Sequence, residues 1–224
     1  MRPPAGGSTM TMTSIFDTPL LTPCLRQLAR GALALSGWKI EPHPPLQPPF
    51  VFIGAPHTSN WDCLLLVALS LDLELQACWL GKDSLFRFPL GGLMRWLGGI
   101  PIDRSHPCNQ VELCATYLRA HPRKALCVTP EGTRRPVQRW KTGFYHIARQ
   151  ADVPILLTVL DAESRTVRLR GWYHPSGEDE REILEIQQFY RGIRGIIPAN
   201  TTELPMLAAA APPEGVGAAI GEGG

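Results

Sequence analysis

The residues Ala55, Pro56, His57, Thr58, Ser59, Asn60, Trp61 and Asp62 place an imidazole five positions ahead of a carboxylate. An ionised aspartate that holds one ring nitrogen leaves the other free to accept a proton near neutral pH. Alone, the pair has a plainer reading, a capping carboxylate beside a surface histidine. A second cluster, Pro130, Glu131, Gly132, Thr133 and Arg134, combines a glycine with an arginine. The glycine lets the backbone turn tightly beside a ligand, and the guanidinium can grip a phosphate through two parallel hydrogen bonds. Between these clusters, the run Gly98, Gly99, Ile100, Pro101, Ile102, Asp103, Arg104 supplies another guanidinium, and Lys82 adds an ammonium. Taken singly, Arg104 beside Asp103 and Lys82 beside Asp83 also read as surface charges. Taken together, a base and three cations describe a pocket for a phosphorylated acceptor with a proton-abstracting group nearby.

Such a pocket needs a frame that brings four distant stretches to one place. Short apolar or β-branched runs predict strands at residues 51–54, 75–80, 100–102, 125–129, 154–160 and 167–173. Helical spacing predicts helices at 61–71, 91–97, 110–120, 142–150 and 178–191, the last with its acids near the start and Ile183, Ile186, Phe189 and Tyr190 facing inward. This alternation is the pattern of an α/β protein with a mixed, largely parallel central sheet flanked by helices. Each chemical cluster then falls at or just beyond the carboxyl end of a strand, where open α/β sheets bind ligands. Ser59 or Asn60 is expected to cap the helix at 61, with the free amides there favouring the Asp62 carboxylate.

Ahead of the first of these strands, Leu21, Leu25, Leu28, Ala32 and Leu35 recur at helical spacing between Pro19 and Gly37, predicting an amphipathic helix. Five prolines within residues 41–49 then require an extended strap. The organisation expected is a flexible leader at 1–18, the helix and strap at 19–49, a catalytic domain at 50–195 and a disordered Ala-, Gly- and Pro-rich tail at 196–224.

Composition narrows the function classes. The 224 residues are 44% hydrophobic and 19% charged with a formal net charge of +2, which argues against a dedicated nucleic-acid binder. The charge is polarised, however: residues 121–150 carry a net +6, and those from His174 onward a net −5. Such polarisation suggests a local anion site. The longest apolar run, Leu64 to Leu69, is far too short to span a bilayer. Six cysteines without a C-x-x-C pair point to reduced thiols in the cytoplasm rather than a disulfide scaffold or zinc ribbon. His106, Cys108 and Cys114 have no recognisable metal-ligand spacing, and Gln76 and Asp83 break the phosphate-loop pattern around Lys82. Trp140, Phe144 and Tyr145 read as packing residues.

In order along the chain, these motifs resemble those of the glycerolipid acyltransferase family, which includes 1-acylglycerol-3-phosphate acyltransferases. His57 to Asp62 matches the H-x4-D box. Lys82 and residues 98–104 look like the acceptor-binding block, Glu131 to Arg134 matches the EGTR block, and Val153, Pro154 and Ile155 are similar to the proline-containing fourth block. Leu157 stands where that block usually has a second proline, and residues 140–144 (Trp140, Lys141, Thr142, Gly143, Phe144) look like a compact bacterial-type branch.

The resemblance implies acyl transfer from acyl-CoA or an acyl carrier protein thioester, as co-substrate with no resident cofactor or metal, to a hydroxyl of a lysophospholipid. His57 would be the base and Asp62 its support. Lys82, Arg104 and Arg134 would hold the acceptor phosphate beside Thr133. Glu131 would orient Arg134 or the acceptor glycerol, and Gly132 would permit close approach. Direct transfer is expected, since Thr58, Ser59 and Cys63 have no separate base. Peripheral contact with the inner face of the membrane is expected, through the helix at 21–35 or through Phe86, Phe88 and Leu90 around Arg87, although that helix could instead simply cover the sheet. The competing readings are another acceptor, such as lyso-ornithine lipid or dihydroxyacetone phosphate, and a non-catalytic module that binds anionic lipid.

Overall fold

The computed structural model describes residues 14–43, 45–102 and 107–205. A seven-stranded sheet comprises β1 (Lys39–Ile40), β2 (Phe50–Ile53), β3 (Gln76–Lys82), β4 (Gly99–Ile102), β5 (Lys124–Val128), β6 (Ile155–Asp161) and β7 (Thr166–Tyr173). Their order across the sheet is β1-β7-β6-β2-β5-β3-β4. Every neighbouring pair is parallel except β6 and β7, which form an antiparallel hairpin. The helices are α1 (Leu21–Ser36), α2 (Trp61–Asp72), α3 (Gly91–Trp96), α4 (Pro107–Ala120), α5 (Gly143–Ala151) and α6 (Asp179–Gln188), with 3-10 turns at Asp83–Phe86 and Pro198–Asn200.

Alternation along the central strands decides what each face of the sheet buries. Val51, Ile53, Leu126, Ile155, Leu157 and Val159 point to one side, where they pack with Leu118 of α4, Phe144 of α5 and Ile186 of α6. Phe50, Phe52, Ala125, Cys127 and Leu156 point to the other. On that side α1 and α2 form the outer layer, with Leu33 joining Leu65 and Leu69. The central strand β2 is buried on both faces, as its unbroken apolar sequence requires.

The topology also locates a crevice. From β2 the chain crosses by α2 to β3 on one side of the sheet, whereas from β5 it crosses by α5 to β6 in the opposite direction. Right-handed crossovers in opposite directions place their helices on opposite faces. The loops leaving adjacent strands β2 and β5 therefore diverge, and a cleft opens beyond their carboxyl ends.

Helix α1 is tied to α2 by arginines on its inner edge. Arg26 donates to the Leu71 carbonyl and pairs with Glu74 at 2.9 Å, and Arg30 meets Asp72 at 2.6 Å. The helix ends at Gly37, where the amides of Gly37 and Trp38 bond back to Ala34 and Leu33. Among the described residues no helix is long and apolar enough to cross a membrane.

Two boundaries differ from the sequence expectation. Residues 14–18, assigned to the flexible leader, are packed: Ile15 is buried against Val67 and Leu71, and its amide bonds to the Trp96 carbonyl at 2.8 Å. Residues 196–205, assigned to the disordered tail, lie against the loop after β2. Residues 1–13 and 206–224 are outside the described residues. The two-residue strand β1 was also not anticipated; it exists because Lys39 and Glu41 donate to carbonyls of Arg165 and Val167 beside β7.

Candidate active site

Strand β2 ends at Ile53, and Ala55 continues it by bridging to Val159 and accepting from the Leu160 amide at 3.0 Å. That anchorage fixes the origin of the loop carrying His57. The loop turns sharply into α2, and the turn is organised by Asp62. A single oxygen, Oδ2, accepts from the amides of Thr58 (2.7 Å) and Ser59 (2.8 Å) and lies 2.9 Å from His57 Nδ1. A carboxylate can only accept, so in the neutral ring Nδ1 bears the proton and Nε2 carries the free lone pair. The Ser59 hydroxyl accepts from the Trp61 amide at 3.2 Å, whereas Asn60, the residue that precedes the helix, makes no side-chain capping bond. Asp62 is buried and His57 half-buried, so the pair is shielded but open to a ligand at one edge.

The loop after β5 meets this turn from the neighbouring strand. Glu131 Oε1 accepts from the main-chain amide of His57 at 3.0 Å. Glu131 is 4% exposed, and burial pushes its carboxyl pKa up, opposed by the two amides that donate to it and by His57. One carboxyl oxygen of Glu131 is thus committed to the histidine loop, and Glu131 is not among the residues that line the cavity described below. Gly132 follows with φ +62°, and a Cβ there would come within 2.9 Å of the Lys141 side chain. A residue with a side chain would be strained at this turn and would push Lys141 aside.

A cavity of about 620 Å³ opens at this point. Its polar mouth is lined by His57, Asp62, Lys82, Gly132, Thr133 and Arg134, and its interior by apolar groups from α2 and the sheet, among them Phe52, Leu66, Leu69, Trp79 and Leu156. The sequence-derived residues from three separate strand ends thus share one cleft. Lys82 is the last residue of β3, paired with Ile102 of β4, and Arg134 is exposed. Arg104 lies outside the described residues. Cys63, the residue after Asp62, also lines the cavity; burial raises its thiol pKa, against the pull of the nearby Arg134 charge.

Of the three apolar residues around Arg87 expected to contact the membrane, only two are exposed. Phe88 is 98% exposed and Leu90 is exposed, but Phe86 is buried, its ring centroid 6.0 Å from that of Trp79 and capped by the Arg95 guanidinium at 5.3 Å. The 3-10 turn that ends at Phe86 breaks the alternation that would have put all three on one face. Trp140, Phe144 and Tyr145 are buried packing residues, as expected.

Comparison with known proteins bears directly on this arrangement. The family model for acyltransferases matches residues 40–161, a span that contains every residue of the cavity mouth. The chain belongs to the acyltransferase family. Among sequence relatives, the 1-acyl-sn-glycerol-3-phosphate acyltransferase of Haemophilus influenzae is 29% identical over 128 residues, covering 54% of this chain and 52% of that protein. The enzyme of the same name from Escherichia coli is 30% identical over 121 residues, covering 51% and 48%. The one from the coconut palm, Cocos nucifera, is 34% identical over 110 residues, covering 46% and 35%. The chain thus spans about half the length of the bacterial relatives it matches. Among solved structures, the 1-acyl-sn-glycerophosphate acyltransferase of Thermotoga maritima superposes with a TM-score of 0.51 at 16% identity, covering 75% of this chain and 76% of that one. This is agreement in fold, including the mixed, mostly parallel sheet flanked by helices.

Sequence reasoning missed three parts of this candidate site. The clamp from Glu131 to the His57 amide was invisible because sequence does not say whose main chain a buried carboxyl will meet. The apolar lining was signalled only by α2, which is apolar on nearly every side where a surface helix would show one apolar stripe. The segment 193–205 carries no periodicity at all.

Proposed function

We propose that the protein transfers a fatty acyl group from a thioester, acyl-CoA or acyl carrier protein, to a free hydroxyl of a lysophospholipid such as 1-acylglycerol-3-phosphate. The observation that carries this reading is the junction within one cavity of a carboxylate-supported imidazole, two cations and a long apolar interior. A binding module for anionic lipid would need the cations but not a histidine held in the tautomer of a base.

In this mechanism the acceptor phosphate sits between Lys82 and Arg134, beside Thr133. The acyl chain occupies the apolar interior, so its thioester carbonyl lies at the mouth. His57 Nε2 takes the proton from the acceptor hydroxyl as that oxygen attacks the carbonyl carbon. Asp62 stabilises the resulting imidazolium through Nδ1–H. As the tetrahedral adduct collapses, the C–S bond breaks and the imidazolium returns its proton to the departing thiolate. No acyl-enzyme is needed, and Cys63, with its raised thiol pKa, is a poor nucleophile. The reaction requires no metal or resident cofactor.

The substrate is amphipathic, so the protein must reach a lipid surface. Two exposed apolar features support such a contact: the outer side of α1, with Leu28 and Leu35 68% and 92% exposed, and the group Phe88, Leu90 and Leu93 near Arg87. A thioester donor is a cytoplasmic molecule, which puts this contact on the inner face of the membrane.

The test is incubation of the purified protein with labelled acyl-CoA or acyl carrier protein thioester and a panel of acceptors. Acyl ester formed with 1-acylglycerol-3-phosphate is the expected result. Ester formed only with lyso-ornithine lipid or dihydroxyacetone phosphate would reassign the acceptor, and no ester with any acceptor would leave the binding module. In the active pair, Arg134→Ala should raise KM for the phosphorylated acceptor about tenfold, the loss of a charge-assisted hydrogen bond, with kcat little changed.

A further inference from the structure

The segment after α6 makes an unusual set of contacts with one residue. Thr58, next in sequence to His57, is 1% exposed. Its amide donates to Asp62, but its other polar groups are taken by a stretch about 140 positions away. The Ile197 amide donates to the Thr58 hydroxyl at 3.1 Å, and Asn200 Nδ2 donates to the Thr58 carbonyl at 3.0 Å. Gly195 presses on the same side chain: a Cβ there would fall 2.4 Å from Thr58 Cγ2 and 2.5 Å from its hydroxyl oxygen, so only glycine fits.

The segment is fixed at several other points. The Ala162 amide, just beyond β6, donates to the Arg194 carbonyl at 3.0 Å. Thr201 accepts from the Gly195 amide at 3.0 Å and closes the turn. Thr202 accepts from the Val137 amide at 3.2 Å, in the loop that follows Arg134. Tyr190 is buried in the core, with Ile193 and Leu204 packed against it. The segment therefore spans from the end of β6 across the histidine loop to the arginine loop, and it lies wholly beyond the region matched by the acyltransferase family model.

We propose that residues 193–205 form a positioning strap that holds the His57–Thr58 peptide, and with it the Asp62–His57 pair, in the orientation needed for proton abstraction. Asn200 and Gly195 are its positioning residues. The physical reason is economy of bonding at Thr58. Its amide is one of the two that fix Asp62 Oδ2, and that amide keeps its direction only while the rest of the residue is held. Releasing the carbonyl leaves a buried acceptor without a partner and lets the loop rotate to satisfy it. Small rotations there move the imidazole away from the acceptor hydroxyl, a displacement to which rate is steeply sensitive. The proposal deepens the acyl-transfer reading and, as regards rate, rests on it.

The experiment compares Asn200→Ala, Gly195→Ala and, as a control on the exposed side of the same segment, Glu203→Ala in the full chain. Two measurements are made: steady-state kinetics with the thioester and acceptor, and amide hydrogen exchange at Thr58 and Ser59. The strap requires kcat to fall by about 10- to 100-fold in the first two variants with KM for both substrates within about twofold, faster exchange at Thr58 and Ser59, and no change in Glu203→Ala. An unchanged kcat with unchanged exchange in Asn200→Ala overturns it. So does a loss shared by Glu203→Ala, or one in which exchange quickens evenly across the sheet, because that is general destabilisation. If Gly195→Ala fails to fold, Asn200→Ala alone decides. If the parent protein transfers no acyl group, the acyl-transfer reading fails, and the exchange measurement still judges the strap.

Discussion

The two faces of the sheet are built from alternate residues of the same strands and do opposite jobs. Beneath α4, α5 and α6, Val51, Ile53, Leu126, Ile155, Leu157 and Val159 are fully buried in one continuous core. Beneath α2, their neighbours Phe52 and Leu156 border a cavity of about 620 Å³. One face supplies stability through close packing. The other gives up packing to keep room for a ligand, and the site opens where that room meets the diverging loops of β2 and β5. The same strand sequence can serve both because side chains alternate.

The sharpest way to break this contrast is to truncate one residue on each face. Leu157→Ala should destabilise by about 2–5 kcal/mol, since it opens a void in a packed core. Leu66→Ala, on the cavity side, should cost about 1–2 kcal/mol, the transfer contribution without a new void. Equal losses by chemical denaturation would show that the cavity is closed in solution.

A smaller effect is expected at the seam where the two faces meet the site. Glu131→Leu leaves the His57 amide unsatisfied and should cost about 2 kcal/mol. Glu131→Gln keeps an acceptor for that amide and removes a carboxyl that burial already biases toward its neutral form. Because the folded pKa lies above the unfolded one, near 4.3, the neutral form contributes stability that is present below the unfolded pKa and lost as pH rises through the folded pKa. Glu131→Gln should therefore match or exceed the wild-type Tm at pH 7 and lose that advantage below about pH 4. A lower Tm at pH 7 would mean that the ionised carboxylate is the stabilising form.

The smallest effect sharpens the assignment of the open face. Leu66→Trp grows into the cavity, so stability should change by less than about 1 kcal/mol while kcat/KM for long-chain donors falls about tenfold relative to short-chain donors. Loss of activity independent of chain length would remove the acyl chain from this cavity.

Much of the fold was legible in the sequence because local signals and global fold agree. Pro19 and Gly37 bracket α1, whose residues Leu21–Ser36 match the expectation to within one position. The strands of the central sheet announced themselves as short apolar runs, and alternation with helices implied the parallel arrangement that gathers strand ends. The cleft followed from that, because His57, Lys82 and Arg134 each sit at or beyond such an end. What was not legible depends on contacts rather than patterns. Phe86 and Phe88 flank Arg87 in the sequence, yet the 3-10 turn ending at Phe86 leaves the first buried and the second exposed. Residues 196–205 look like the start of a low-complexity tail, and their order comes from single hydrogen bonds to Thr58 and Val137 that no periodicity encodes.

The central claim is that His57 is the base at the mouth of the cavity. Its most direct test is the rate of acyl transfer by His57→Ala at saturating thioester and acceptor, with lipid binding and Tm measured on the same sample. The mechanism requires transfer to fall by at least about 10²-fold, the usual contribution of a positioned general base, while binding and Tm stay at wild-type values. Transfer that persists at more than a few per cent would contradict it.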